Sequence, residues 1–219
     1  MSSKEETIKI EKELMFAYSK EQSNKMFEYV DKVLERNEHI NLTAVRDRNE
    51  AAQKHIVDSL LVTDTKEYQE AETVIDVGTG AGFPGALLAI ASPEKKFTLL
   101  DSTLKRLRII DEFAEELSIN NIETLHARAE EINKKEDFAN RYDLCVSRAV
   151  ANLSTLIDWC LPFVKKGGYF ISYKGENYQE ELSAAERVIK KYGAEIVRID
   201  KVSDTYPDIS GHTLIVIRK

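Results

Sequence analysis

The stretch Thr73-Val74-Ile75-Asp76-Val77-Gly78-Thr79-Gly80-Ala81-Gly82-Phe83-Pro84-Gly85 decides how the chain is organised. Its first five residues are β-branched around a single acid and read as a short, buried strand, Thr73–Val77. Four glycines then fall within eight residues, more than a turn that merely reverses the chain requires. Glycine is needed where the backbone turns sharply, or where it must approach a ligand with no side chain between. A helical stretch follows at about Gly85–Ala91. Strand, glycine loop and helix in this order open a nucleotide-binding βα unit, whose ligand lies at the carboxyl edge of the sheet.

Toward the C-terminus, β-rich runs recur at Phe97–Asp101, Ile122–His126, Tyr142–Ser147 and Gly168–Tyr173. Helical stretches separate them at Leu104–Leu117 and Asn152–Val164, and another follows at Tyr178–Tyr192. Strands alternating with helices imply right-handed crossovers and a parallel sheet covered on both faces. The last two runs, Ala194–Val202 and His212–Arg218, have no helix between them and are expected to pair antiparallel. Toward the N-terminus the period is helical up to about Thr65. Met26, Tyr29, Val30, Val33 and Leu34 share one face, as do Ala52, Ile56, Leu60 and Leu61. Asn41–Val45 between these helices reads as a turn or short extended piece. The expected organisation is an N-terminal helical extension over residues 1–65 and an α/β core over 66–219. That core, a Rossmann-like seven-stranded sheet with an antiparallel closing hairpin, resembles the methyltransferase variant of the doubly wound fold.

Composition narrows the classes of function. The chain has 219 residues and a net charge of −7, which argues against a protein that coats nucleic acid nonspecifically. An RNA held by a local basic patch stays compatible with it. The first twenty residues mix Lys and Glu without an apolar segment, and no run approaches the roughly 20 apolar residues of a membrane span. The expectation is a cytoplasmic protein with no membrane partner. Cys145 and Cys160 sit among apolar neighbours and read as buried, reduced thiols. His39, His55, His126 and His212 show no metal-ligand spacing, so no metal is expected.

The glycine spacing alone does not name the nucleotide, because Gly80 to Gly85 also fits a dinucleotide fingerprint. Charge separates the readings. Asp76, two residues before Gly78, places a carboxylate near the loop. It would repel a pyrophosphate and favour the sulfonium and ammonium groups of S-adenosylmethionine. At a dielectric of about 20, unit charges roughly 4 Å apart interact by about 4 kcal/mol, enough to decide. Asp101, ending the second run, suits the ribose hydroxyls of either cofactor, while Ser102 or Thr103 could cap the next helix. An NAD-dependent oxidoreductase is the alternative enzyme.

Methyl transfer from a sulfonium is an in-line displacement, to which positioning can contribute about 7–11 kcal/mol. Enzymes acting on exocyclic amines commonly carry an Asp/Asn-Pro-Pro-Tyr motif after the fourth strand; this chain has Ser147-Arg148-Ala149-Val150. Carbon methylation of cytosine needs a cysteine, typically after a proline, and neither cysteine follows one. Ring N7 of guanine already exposes a lone pair and needs no base.

His55-Ile56-Val57-Asp58-Ser59-Leu60, Asp76 to Gly85, Asp101-Ser102 with Lys105-Arg106, Arg128-Ala129-Glu130, Ser147-Arg148-Ala149 and Lys174-Gly175 follow one another in a particular order and spacing. Over roughly Asn37 to Gly175 the chain thereby resembles the small-subunit ribosomal RNA guanine-N7 methyltransferases, also called glucose-inhibited division protein B. The resemblance implies S-adenosylmethionine as cofactor and a guanine in the decoding-region loop of 16S rRNA as target. It implies cofactor contacts at Gly78, Phe83, Ala129, Glu130 and Arg148, with Asp101, Ser102 and Thr103 beside them. Arg148, directly after the fourth strand, is also the candidate catalytic residue, its alternative being an ion pair with a helix carboxylate such as Asp58. Arg46, Arg48, Lys105, Arg106 and Lys174 are the candidate contacts to RNA, each otherwise a solvated surface charge. Arg36 departs from the tryptophan that many members carry before Asn37. A monomer acting on 16S rRNA or the small ribosomal subunit is expected. The rival from another class is a non-catalytic ribosome-assembly factor with a retained cofactor pocket.

Overall fold

The structure, a computed structural model, describes residues 3–202 and 209–219. Its N-terminal part is helical: α1 (Ser3–Ala17), α2 (Lys20–Asn37), α3 (Arg48–Ala51), a wide π-turn (Ala52–Val57), α4 (Asp58–Leu60) and, after a 3-10 turn, α5 (Lys66–Glu70). Ser19 starts α2 through a reciprocal capping box with Gln22. The Gln22 amide also donates to the carbonyls of Ile90 and Ala91, fastening this helix to the first helix of the core. Met26, Tyr29, Val30 and Val33 lie buried along one face of α2, as their spacing predicts. Asn37 closes the helix and organises the loop beyond it. Its side-chain oxygen accepts from the amides of Leu42 (2.7 Å) and Thr43 (3.1 Å), and its amide donates to the Thr43 carbonyl.

The core runs β1 (Thr73–Val77), α6 (Gly85–Ala91), β2 (Lys96–Asp101), α7 (Leu104–Glu116), β3 (Ile122–His126), α8 (Ala129–Ile132), β4 (Tyr142–Arg148), α9 (Leu153–Cys160), β5 (Val164–Lys174), α10 (Tyr178–Lys191), β6 (Glu195–Lys201) and β7 (Thr213–Arg218). The sheet has seven strands in the order β3-β2-β1-β4-β5-β7-β6. The first five are parallel; β7 pairs antiparallel with both β5 and β6. The closing hairpin is therefore present, with its second arm inserted against β5. The strand order reverses between β1 and β4, and a crevice opens beyond their carboxyl ends.

Two boundaries differ from the reading of the sequence by more than a single residue. The helix expected over Asn152–Val164 ends at Cys160, because Pro162 diverts the chain into a 3-10 turn over Leu161–Phe163. Val164 already pairs with Tyr142, so β5 starts there and not at Gly168. The short helix α8 was also unanticipated, being too brief to leave a period in the sequence.

Apolar residues fill both faces of the sheet. Strand alternation sends Val74 toward the cluster that includes Ile10, Met26, Tyr29, Leu87 and Val216, and sends Ile75 and Val77 toward Leu156, Phe163 and Ile215. The first cluster is continuous from α1 to β7. Cys145 and Cys160 are buried and unbridged. Arg36 has a task of its own: it pairs with Glu112 and lies 5.4 Å from the Phe113 ring centroid, tying α2 to α7.

Candidate cofactor and substrate site

The glycine loop is held by hydrogen bonds that occupy its own donors. The amides of Gly78 and Thr79 donate to the Leu100 carbonyl (2.8 and 3.0 Å), that of Gly80 to the Asp101 carboxylate (3.0 Å), and those of Gly82 and Phe83 to the Thr79 carbonyl. The first amide of α6, Gly85, donates to Asp76 at 2.9 Å. A dinucleotide site needs these donors free, because the pyrophosphate sits on them. Here protein acceptors occupy them, and the carboxylate of Asp76 takes the helix terminus. Asp76 thus disfavours a pyrophosphate in a different way from the one expected. It lies beneath the loop, 1% exposed, and does not line the cavity.

Glycine is required at Gly78 and Gly82 for stated reasons. Gly78 has φ +76°, and a Cβ there would lie 2.5 Å from a Val150 methyl carbon. Gly82 has φ +94°, and a Cβ there would lie 2.1 Å from the Tyr29 hydroxyl oxygen. That hydroxyl donates to the Ala81 carbonyl at 2.9 Å, so α2 braces the loop from below.

A cavity of about 440 Å³ lies over the loop. Of the residues expected to hold the cofactor, Gly78, Phe83, Asp101, Ser102, Ala129, Glu130 and Arg148 line it. Thr103 does not line it; its amide donates to Asp101 at 2.8 Å and so fixes that carboxylate. A Cβ at Gly80 would meet nothing within 4 Å, which marks open space directly above the loop. The donor set fits S-adenosylmethionine. Asp101 accepts two backbone amides and keeps lone pairs for ribose hydroxyls, and Glu130 adds a second carboxylate for a cationic ligand. The sequence reading missed Leu42, Thr43, His55, Val150 and Trp159, which complete the walls. Only His55 had a signal, its place in a family motif without an assigned role.

Arg148 makes the ion pair with Asp58 and also stands at the edge of the cavity. Its guanidinium borders the cavity 5.6 Å from the Phe83 ring centroid, and Nη1 donates to Asp58 and to the Lys54 carbonyl, each at 2.7 Å. The second oxygen of Asp58 is 2.8 Å from His212 Nδ1. Asp58 is 2% exposed. Burial alone would raise its pKa, but the His212 hydrogen bond and the Arg148 charge outweigh burial and hold the carboxyl below its usual range.

His55 lies on the π-turn, stacked on Phe83 at 4.3 Å and 12°. Its Nε2 is 3.0 Å from the Thr43 hydroxyl, while its Nδ1 is buried without a partner. Burial, and then the charge of Arg148, lower its pKa to about 3. Burial raises Asp76 to about 6. The two act oppositely on stability. The depressed His55 withdraws stability as pH falls below its unfolded value near 6.5, whereas the raised Asp76 withdraws it as pH rises through about 6. Between pH 7 and pH 4 the His55 contribution is about 3 kcal/mol. His55→Gln should therefore be penalised most at neutral pH, with its deficit against the wild type shrinking by about that amount at pH 4. Urea unfolding of both proteins across this range checks it; parallel pH profiles would contradict the buried neutral imidazole.

The candidate RNA contacts separate into two groups. Arg46 and Lys105 are exposed, and Arg106 lines the cavity 3.8 Å from Asp101. The charges of Arg48 and Lys174 are instead matched within the fold. Arg48 donates to Asp31 at 2.7 Å and covers the Phe27 ring, and Lys174, 8% exposed, bonds Glu181 at 2.6 Å and the Ala151 carbonyl at 2.8 Å. Among the described residues no group of three or more His, Cys, Asp or Glu could hold a metal ion, and no helix is long and apolar enough to cross a membrane.

Comparison with known proteins bears on residues 22–209, which match the family model described as rRNA small subunit methyltransferase G. A protein of that name from Alkaliphilus oremlandii is 44% identical over 195 residues, spanning 89% of this chain and 82% of the relative. One from Clostridium tetani is 39% identical over 196 residues, 90% of this chain and 82% of the relative. Among solved structures, an O-methyltransferase from Bacillus cereus in complex with SAH superposes with a TM-score of 0.60 at 15% identity, covering 88% of this chain and 91% of the other. TYW2 from M. jannaschii in complex with AdoMet gives 0.56 at 16% identity, covering 80% and 76%. At these identities the structural likeness speaks for the fold.

Proposed function

The chain belongs to the ribosomal RNA small-subunit methyltransferase G family of S-adenosylmethionine-dependent enzymes, and we propose that it methylates N7 of a guanine in the decoding-region loop of 16S rRNA. In this reading it acts as a cytoplasmic monomer on 16S rRNA or the small ribosomal subunit. The observation that carries the cofactor assignment against a dinucleotide is the glycine loop, whose amides and helix terminus are filled by Leu100, Asp101, Thr79 and Asp76. Bound S-adenosylmethionine supplies an electrophilic methyl group on a cationic sulfur.

The residues around the donor end favour a nucleophile that needs no deprotonation. A guanidinium such as that of Arg148 offers donors and no acceptor, so it cannot serve as a base. Asp58 behind it has one oxygen on Arg148 and the other on His212. Guanine N7 presents its lone pair without losing a proton. The positive charge leaves sulfur and arrives on the purine, so the site does not have to stabilise a new charge. What Phe83, His55 and Arg148 contribute is a fixed wall against which the two reactants are aligned.

For an acidic chain, attraction to RNA has to come from a local patch, and Arg46 and Lys105 supply exposed cations for it. Labelled methyl groups should pass from S-adenosylmethionine to small-subunit rRNA taken from cells that lack the family's enzyme. RNA from cells that contain it should accept almost none. In parallel binding measurements Arg46→Glu and Lys105→Glu should weaken RNA binding and leave cofactor affinity intact. The log–log salt slope should fall by roughly 0.7–0.9 for each phosphate that is no longer neutralised. Absence of transfer to the undermethylated RNA would favour a non-catalytic binder.

A further inference from the structure

A second cavity, of about 520 Å³, lies against the first and shares His55, Arg148 and Ala149 with it. The shared wall is unusual in two respects. His55 Nδ1 is buried there without a partner, and Ala149 holds a φ of +55°, a region that residues with a side chain seldom adopt. A π-turn, a rare feature, supplies His55 to this wall.

Beyond the shared wall the second cavity is lined by Asp58, Tyr173, Lys174, Glu181 and His212. Glu181 is held firmly but incompletely. Its Oε2 accepts from Lys174 (2.6 Å) and from the Leu153 amide (2.6 Å), so both of these bonds fall on one oxygen and leave Oε1 to accept others. Lys174, itself nearly buried, is engaged by this carboxylate and by the Ala151 carbonyl. An oriented carboxylate at one part of a cavity with ample room for a base, and an imidazole and a guanidinium at the wall it shares with the first cavity, make a two-ended arrangement.

We propose that this second cavity receives the target guanine, swung out of its RNA stack, with Glu181 accepting from N1–H and the N2 amino group while His55 and Arg148 face its N7/O6 edge. The inference rests on the proposed N7 reaction. Guanine carries its two adjacent donors on the side of the ring remote from N7, so a base anchored at Glu181 turns N7 toward the shared wall. Adenine would oppose its N1 lone pair to the carboxylate and be rejected. Lys174, read from the sequence as a phosphate contact, becomes the residue that positions Glu181.

The test uses 16S rRNA rebuilt by ligation with either guanosine or inosine, which lacks the N2 amino group, at the target position. The wild type should prefer guanosine by about tenfold or more in kcat/KM, one good hydrogen bond to a carboxylate being at stake. In Glu181→Gln this preference should fall below about threefold, while calorimetry shows S-adenosylmethionine bound as in the wild type. A wild type indifferent to inosine overturns the proposal without any variant. So does a preference that survives Glu181→Gln. Failure of the wild type to methylate the guanosine RNA at N7 would instead overturn the reaction on which the proposal rests.

Discussion

Gly78→Val is expected to abolish measurable binding of S-adenosylmethionine in a protein that still folds. The φ of +76° at this position costs a β-branched residue about 1–3 kcal/mol wherever it occurs. The larger effect is local. The new Cβ would stand 2.5 Å from Val150, which itself lines the cavity, so strand end and loop would have to part and rearrange the cofactor's bed. A loss of a hundredfold or more in affinity corresponds to about 3 kcal/mol, within the reach of such a displacement. Gly167 provides the control. It has a φ of +82° and nothing within 4 Å of its Cβ position, and it lies away from the cavity. Gly167→Val should show the same backbone strain in urea unfolding yet bind the cofactor normally. Unchanged affinity in Gly78→Val would show that the cavity over the loop is not the cofactor site.

The second large effect belongs to Arg148. Removing it leaves Asp58, 2% exposed, with the His212 ring as its remaining side-chain partner, and breaking a buried pair in this way costs about 3–5 kcal/mol. Methyl transfer should fall further than stability explains, by about a hundredfold or more, because Arg148 also forms the wall beside Phe83, where small misplacements slow the reaction steeply. Asp58→Asn should reproduce part of the rate loss while keeping the guanidinium, since it removes the charged half of an anchor that retains only the Lys54 carbonyl at full strength. RNA binding should decline less than turnover in both variants. Arg148→Ala turning over at the wild-type rate, measured in single turnover with saturating cofactor, would remove Arg148 from the mechanism.

How much of this was legible in the sequence depends on how local each feature is. The strand, loop and helix from Thr73 to Ala91 were readable because β-branched density, glycine count and the helical run are properties of neighbouring residues. The closing hairpin was readable from the missing helix, yet which arm meets β5 was not, since either order satisfies the same hydrophobic pattern. Arg148 could be singled out because it ends a strand at the carboxyl edge. Asp76 was the right acid with another role, because the sequence does not say whether a carboxylate faces the ligand or caps the helix beneath it. His55 gained its place only through a π-turn and a stack on Phe83, far along the chain. Lys174 reads as a surface cation until Glu181 is seen against it, whereas Arg48 is exposed as read but paired with Asp31.

Transfer of a methyl group to guanine N7 has a direct chemical readout. N7-methylguanine, unlike guanine methylated elsewhere, loses its base after borohydride reduction, and aniline then cleaves the RNA at that residue. Undermethylated 16S rRNA, incubated with this protein and S-adenosylmethionine and then so treated, should break once, within the decoding-region loop, as mapped by primer extension. The break should be absent without cofactor. Methyl incorporation with no break, or a break at any other guanine, would contradict the reaction proposed for this chain.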